Sequence, residues 1–187
     1  MQDTEFLTDH FLIAMPAMKD PNFEQTVTYI CQHNAEGALG IVINRTIDLT
    51  VGDVLTQMKI ENIPSVRAAE PVHYGGPVQI ERGFILHEDI GDWDSTLEIS
   101  SVTGLTTSKD ILEAIANDAG PSRALLALGY AGWGEGQLER EISENAWLHW
   151  PADNDLIFST PVDQRWSRAA QLLGVDLSLL STDAGHA

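Results

Sequence analysis

The chain has 187 residues, and its 28 acidic and 10 basic side chains give a formal net charge of −18. This charge repels phosphate backbones and anionic lipid, and no local basic stripe interrupts it, which argues against direct binding of nucleic acid. The contents of 43% hydrophobic and 20% charged residues are those of a globular protein, and the length predicts one domain over residues 1–187. Two explanations of this negative charge stay open: it keeps the protein soluble, or it attracts a basic partner protein.

Cysteine usage and the N-terminal sequence bear on the compartment. Cys31 is the only cysteine, which excludes an intrachain disulfide and a multi-cysteine zinc site and suits a reducing compartment. Asp3, Glu5 and Asp9 precede a short apolar run, whereas a signal peptide has positive charge there and a longer apolar segment. No run approaches the ~18 apolar residues of a membrane span. We therefore expect a cytoplasmic protein without membrane association.

The first part of the chain has the apolar patterns of β-strands, followed by a helix start. Residues 25–33 alternate between two faces, and the turn at residues 34–37 joins them to the next run as a hairpin. Thr50 and Asp53 have the spacing of a helix-capping pair. The predicted elements are strands at 11–15, 25–33 and 38–45 and a helix from Thr50.

The remainder mixes strands and helices without regular βαβ alternation, which favours an α+β fold. Predicted strands or extended segments are 83–87, 95–100, 123–130, 147–150 and 155–158, and a helix is the alternative for 123–130. Predicted helices run from Thr107 or Ser108 to Gly120, over 135–145, and from Thr160 to a stop at Gly174. Residues 181–187 are expected to form a loose tail.

Residues 129–141 have the outline of a strand, a glycine-rich loop and a helix. Such a loop can offer backbone N–H groups to an anion. However, no Lys, Ser or Thr occupies the positions of a phosphate-binding loop. Two interpretations therefore stay open, a tight turn that packs helix against sheet and a ligand-binding loop that contains Trp133 and Gln137.

The single cysteine and three of the histidines are candidate sites of chemistry. Cys31 and His33 share a strand face, but neighbours at this spacing lie about 6–7 Å apart, which favours an inert core cysteine over a nucleophilic pair. His33, His73 and His87 show no metal-binding spacing, so hydrogen-bonded structural roles are expected. The sequence predicts neither a metal site nor a cofactor.

Asn44 and Arg45 place an amide beside a guanidinium at the end of a predicted strand. An isolated cation in an acidic chain can select a carboxylate or a phosphate. The alternative is a salt bridge with one of the many acidic side chains.

Several separate sequence blocks, in order along nearly the whole chain, resemble the YqgE/AlgH family of bacterial proteins. The blocks are residues 11–16, 20–23, 26–29, 33–34, 37–45, 75–78, 82–87, 129–141 and 145–148. The resemblance implies an α+β fold with a strongly bent, mostly antiparallel sheet that approaches a pseudo-barrel, with helices packed around it. It implies no settled enzymatic activity, although some members are labelled transcriptional regulators through effects on exopolysaccharide production.

Two functional hypotheses follow, and a direct nucleic-acid role ranks below both. The first is a non-enzymatic regulatory or protein-interaction role that affects transcription indirectly. Its binding surface would use the turns at His33, Asn34, Gly75, Gly76 and residues 132–136. The second is a small-molecule-binding protein or enzyme. Its pocket would be lined by Asn44, Arg45, His87, Trp133 and Gln137.

Overall fold

The computed structural model describes residues 5–61 and 67–176, so the predicted tail at 181–187 lies outside the described residues. A curled, mostly antiparallel sheet forms a half-barrel with helices around it, which confirms the α+β expectation and the bent sheet that the resemblance implied. None of the described helices is long and apolar enough to cross a membrane.

Ten strands and five α-helices make up the described part of the chain. The strands are β1 (His10–Ala14), β2 (Val27–Asn34), β3 (Gly37–Val42), β4 (Thr46–Thr50), β5 (Pro71–Tyr74), β6 (Val78–Glu88), β7 (Thr96–Glu98), β8 (Thr103–Thr106), β9 (Ala124–Trp133) and β10 (Trp147–Pro151). The helices are α1 (Val51–Gln57), α2 (Lys109–Ala116), α3 (Gln137–Ser143), α4 (Asn154–Phe158) and α5 (Arg165–Leu172).

Strand β9 organises the sheet, whose main order is β10-β1-β2-β3-β9-β6-β8-β7. Its first half, up to Leu128, pairs with β6 on one side and runs parallel to β5 on the other. Its last three residues, from Ala131, pair with β3. The strand changes partner at Gly129, where φ is +77°. Because one strand serves three neighbours, the sheet must curl around this point.

Both faces of the sheet are covered, because neighbouring residues of one strand enter different hydrophobic clusters. Phe11 and Tyr29 pack in the main core inside the curl, whereas Leu12 and Ile30 pack beside α3. The helices α1 and α2 cover a third cluster that includes Ile85. Burying each such side chain contributes about 1.5–3 kcal/mol, and burial on two faces explains why these strands contain continuous apolar runs.

Local capping signals account for several correct predictions. Thr50 accepts a hydrogen bond from the N–H of Asp53 at 3.1 Å, and the Asp53 carboxylate accepts one from the N–H of Thr50 at 2.9 Å. This reciprocal pair confirms the predicted helix start. Strand β9 confirms the strand interpretation of residues 123–130 over the helical one. Ser108 precedes α2 as predicted, although its hydroxyl donates to the Asp110 carboxylate and does not cap the helix backbone.

Other predictions were wrong in ways that have physical reasons. Residues 155–158 are helical rather than extended, because the Asp153 carboxylate accepts from the N–H of Asp155 and starts α4. Helix α2 ends at Ala116, before the predicted Gly120, because Asp118 adopts a φ of +55°. The last helix begins with a 3₁₀ turn, Val162–Gln164, so α5 starts later than the predicted Thr160. Strands β4 and β8 were not predicted.

Gly76 is expected to tolerate no side chain. Its φ is +155°, and a Cβ there would lie 2.1 Å from the carbonyl carbon of Tyr130. Gly76→Ala should therefore lower the free energy of unfolding by roughly 2–4 kcal/mol, measured by urea denaturation. Gly134→Ala is the matched control, because the nearest atom to its Cβ would be 3.9 Å away. Equal stabilities of the two variants would contradict the expected clash.

Candidate functional site

An open groove of about 490 Å³ lies beside the hairpin that joins β2 to β3. Its floor includes Tyr130 and Trp133, and its rim includes Asn34, Glu36 and Val78. The hairpin turn is tight, because Asn34 pairs with Gly37 across a two-residue loop. The Asn34 side chain also accepts a hydrogen bond from the N–H of Glu36 at 2.9 Å. The groove thus combines aromatic side chains with a rim of polar residues and the apolar Val78.

His33 lies under this rim and is committed to structural hydrogen bonds. Its Nδ1 accepts from the N–H of Leu7 at 2.9 Å, and its Nε2 donates to the carboxylate of Glu139 in α3. The imidazole is buried. Its two hydrogen bonds connect the hairpin to the N-terminal segment and to α3. This arrangement matches the structural role that the sequence suggested for the histidines.

The glycine-rich loop before α3 is closed by side-chain hydrogen bonds. Gln137 accepts from the N–H of Gly134 at 3.0 Å and donates to Glu141 at 2.8 Å. The other oxygen of Glu141 accepts from the indoles of Trp133 and Trp147 at 3.1 and 3.0 Å. The Glu141 carboxylate therefore positions both tryptophans, of which Trp133 lines the groove. The loop has the geometry of a tight turn that packs the helix against the sheet.

Asn44 and Arg45 lie at a different place, where they fasten the loop before β2. Asn44 accepts from the N–H of Val27 and donates to the carbonyl of Gln25, both at 2.8 Å. Arg45 donates to the carbonyls of Pro21 and Glu24 at 2.7 and 2.8 Å, in place of the predicted alternative of a salt bridge. Both residues border a cavity of about 350 Å³ on the side of Trp166.

Gly75 and His87 are positioned by the sheet. Gly75 donates its N–H to the carbonyl of Leu128 and accepts from the N–H of Val42, both at 2.8 Å. His87 is fully buried, and its Nε2 lies 2.7 Å from the hydroxyl of Thr106. Burial lowers the pKa of His87 below its usual range, so the imidazole is neutral near pH 7.

The structure distributes the predicted site residues over separate regions. Asn34 and Trp133 share the groove, with His33 and Gln137 behind its wall, whereas Asn44 and Arg45 border the second cavity. Gly75, Gly76 and His87 border neither of these two cavities. Ligand binding at any of these positions stays a prediction. Asn44 and Arg45 do not share a pocket with Trp133 or with His87, as the second hypothesis required.

Sequence reasoning missed a third cavity, of about 150 Å³, which His73 and Arg165 border. Arg165 is only 6% exposed and donates to the carbonyls of Thr160 and Ile43 and to Nε2 of His73. Burial lowers its pKa to about 10, and burial together with this guanidinium lowers the pKa of His73 to about 4. The sequence does contain a signal that Arg165 is buried. It lies four residues before Ala169, so both side chains project from the buried face of α5.

Cys31 should be chemically inert in the folded protein. It is 1% exposed, burial raises its pKa, and His33 is bonded to other partners. We expect a disulfide reagent such as DTNB to modify native protein only as fast as the structure opens, and denatured protein at once. Unfolded thiols ionise near pH 8.5, so stability should also fall as the pH rises above that value. Rapid labelling of native protein would show that the thiol is accessible.

Glu141 should stabilise the groove wall measurably. Glu141→Ala leaves two buried indole N–H groups without an acceptor, so we expect a loss of about 2 kcal/mol in the free energy of unfolding. Glu141→Gln keeps one carbonyl oxygen and should lose less. Urea titration followed by tryptophan fluorescence measures both, and a larger loss for the Gln variant would contradict the role of the acceptor.

Comparison with known proteins identifies relatives over nearly the whole chain. A family model described as AlgH-like matches residues 11–178. A UPF0301 protein from Methylococcus capsulatus is 57% identical over 184 residues, which cover 98% of each chain. A UPF0301 protein from Thioalkalivibrio sulfidiphilus is 59% identical over 181 residues, with 96% of each chain covered.

Solved structures show the same architecture. The solution structure of the AlgH protein from Pseudomonas aeruginosa is 50% identical, with a TM-score of 0.80 and full coverage of both chains. A crystal structure of a protein from Corynebacterium diphtheriae shares the fold, with a TM-score of 0.76, 22% identity, and coverage of 97% of this chain and 95% of that one. The family-model match and the identities of 50% and above show that this chain belongs to the AlgH-like family.

Proposed function

We propose that this protein is a non-enzymatic, cytoplasmic regulator that binds a basic partner protein in the groove beside the β2–β3 hairpin. The observation that carries the proposal is the groove itself, which the partly exposed Tyr130 and the buried Trp133 line together with polar residues of the hairpin. Aromatic side chains are enriched at the centres of protein interfaces, where polar rims surround them. Any effect on transcription would then be indirect, through the bound partner.

Exposed apolar side chains extend this surface beyond the groove. Between Val78 and Gly83, four residues of β6 face only Gly129 of β9, so residues 79–82 bulge out of the sheet. Ile80 in this bulge is 56% exposed and Val78 at the groove rim is 36% exposed. Exposed apolar residues next to an aromatic groove favour an interaction surface.

Charge favours a basic partner. The net charge is −18, and one acidic side chain, Glu36 on the hairpin, lines the groove itself. Opposite charges across an interface accelerate association and suppress wrong partners. The same field disfavours direct contact with DNA or RNA, because it repels their phosphates.

Val78→Lys should abolish partner binding, because it places a positive, hydrated side chain at the groove rim. The experiment is affinity capture from a lysate of the source cells, with quantitative mass spectrometry and repetition at raised salt. Wild-type protein should retain a basic protein reproducibly, at least tenfold more than the variant does. Raised salt should weaken this capture.

The matched control is Val102→Lys, since Val102 is 52% exposed and lies in the turn between β7 and β8. This variant has the same change of charge and should capture the partner as wild-type protein does. Equal loss in both variants, or no reproducible partner for wild-type protein, would contradict the proposal. Binding of DNA by the purified protein at low salt would contradict the indirect route.

A further inference from the structure

Arg165 is a buried cation without an anionic partner among residues 5–61 and 67–176. No described carboxylate lies within 4.0 Å of its guanidinium, although the chain has 28 acidic residues. Buried charges are normally paired, because taking a lone charge out of water is costly. The guanidinium nevertheless borders a cavity rather than packed protein.

Counting its hydrogen bonds shows which part of Arg165 is available. Nε donates to the carbonyl of Thr160 at 2.9 Å, and Nη1 donates to the carbonyl of Ile43 and to Nε2 of His73. Three of the five N–H groups of a guanidinium are thus used. The two N–H groups of Nη2 have no acceptor within the part of the chain that the structure describes.

His73 holds the guanidinium in this orientation. Since Nε2 accepts from Arg165, the proton of the neutral imidazole resides on Nδ1. That Nδ1–H is buried and is directed to the backbone carbonyl of Leu126, although the pair does not reach good hydrogen-bond geometry. His73 therefore fixes the orientation of Arg165, and the free donors at the cavity are those on Nη2 of Arg165.

The size and walls of the cavity define the class of ligand. Its volume of about 150 Å³ corresponds to roughly five water molecules and is below the ~300 Å³ of sites for larger ligands. Leu125, Leu126, Ile157 and Phe158 also line it. The Leu126 side chain packs in the cluster on the other face of the sheet, so the partly buried ring of Phe158 is the main apolar surface available to a ligand. An anion with a short hydrocarbon part fits both the guanidinium and the ring of Phe158.

We infer that the His73–Arg165 cavity binds a short-chain carboxylate, whose oxygens accept hydrogen bonds from Nη2 of Arg165 while its alkyl end contacts Phe158. His73 is a positioning residue, because it orients Arg165. Glu70 also borders the cavity and opposes an anion, although Arg67 partly offsets its charge. The site is independent of the groove and of any protein partner.

The test is an NMR titration of the ¹⁵N-labelled full-length chain with sodium propionate at constant ionic strength. Saturable shifts are expected at the amides of residues 72–74, 125–126, 157–158 and 165. Propionamide has the same shape without the charge and should leave these amides unmoved. Sulfate and phosphate serve as inorganic probes and should shift them at least tenfold more weakly than propionate does.

Three variants assign the binding to named side chains. Arg165→Lys keeps the charge but loses the planar donor pair, so propionate should bind at least tenfold more weakly. Glu70→Gln removes the opposing charge and should bind propionate several-fold more tightly. Arg45→Lys is the matched control, at an arginine outside this cavity, and should bind as wild-type protein does.

Several results would overturn the inference. Propionamide shifting the same amides as strongly would show that charge is not recognised, and equal binding of sulfate or phosphate would show that the site does not select carboxylates. Unchanged affinity in Arg165→Lys would remove Arg165 from the site. If that variant fails to fold, the comparison of propionate with propionamide in wild-type protein decides the matter alone.

Discussion

The close approach of two backbone segments, Gly75–Gly76 before β6 and Gly129–Tyr130 within β9, is the constraint on which the rest of the structure depends. A Cβ at Gly75, Gly76 or Gly129 would lie 2.1–2.3 Å from backbone atoms of the opposite segment. This contact lets β9 leave β5 and continue beside β3, which curls the sheet into a half-barrel. The groove lies along the end of β9 at Trp133 and the His73–Arg165 cavity at its start, so both depend on this crossing.

The conspicuous polar residues of the chain mostly hold strands and loops together. His33, Asn44 and Glu141 each join two or more segments through hydrogen bonds to buried or partly buried groups. Such groups must be satisfied where they are buried, so their partners are dictated by folding. Arg165 differs, because its Nη2 group has no acceptor among the described residues while its other donors are used. Polarity alone therefore does not distinguish structural residues from binding residues.

The two proposed sites use opposite electrostatics within one molecule. The outer surface has a large excess of negative charge, which suits recognition of a basic protein at an exposed groove. The inner cavity is bordered by Arg165, which is only 6% exposed, and an anion there would accept charge-assisted hydrogen bonds. A small anion can reach such a cavity, whereas a nucleic acid is repelled by the surface and is far too large for a space of about 150 Å³.

The sequence by itself determined the fold class, the β2–β3 hairpin, the capped start of α1 and the strand character of β9, because apolar periodicity and turn chemistry act over a few neighbouring residues. It also indicated the structural roles of Cys31 and His33. It did not determine β4 or β8, whose short segments become strands only by pairing with distant partners. The helix α4 was mistaken for a strand because its apolar run is too short to show a period. Only the tertiary structure decided that Asn44 and Trp133 lie at separate cavities and that His73 meets Arg165, because residues 92 positions apart are brought together by packing alone.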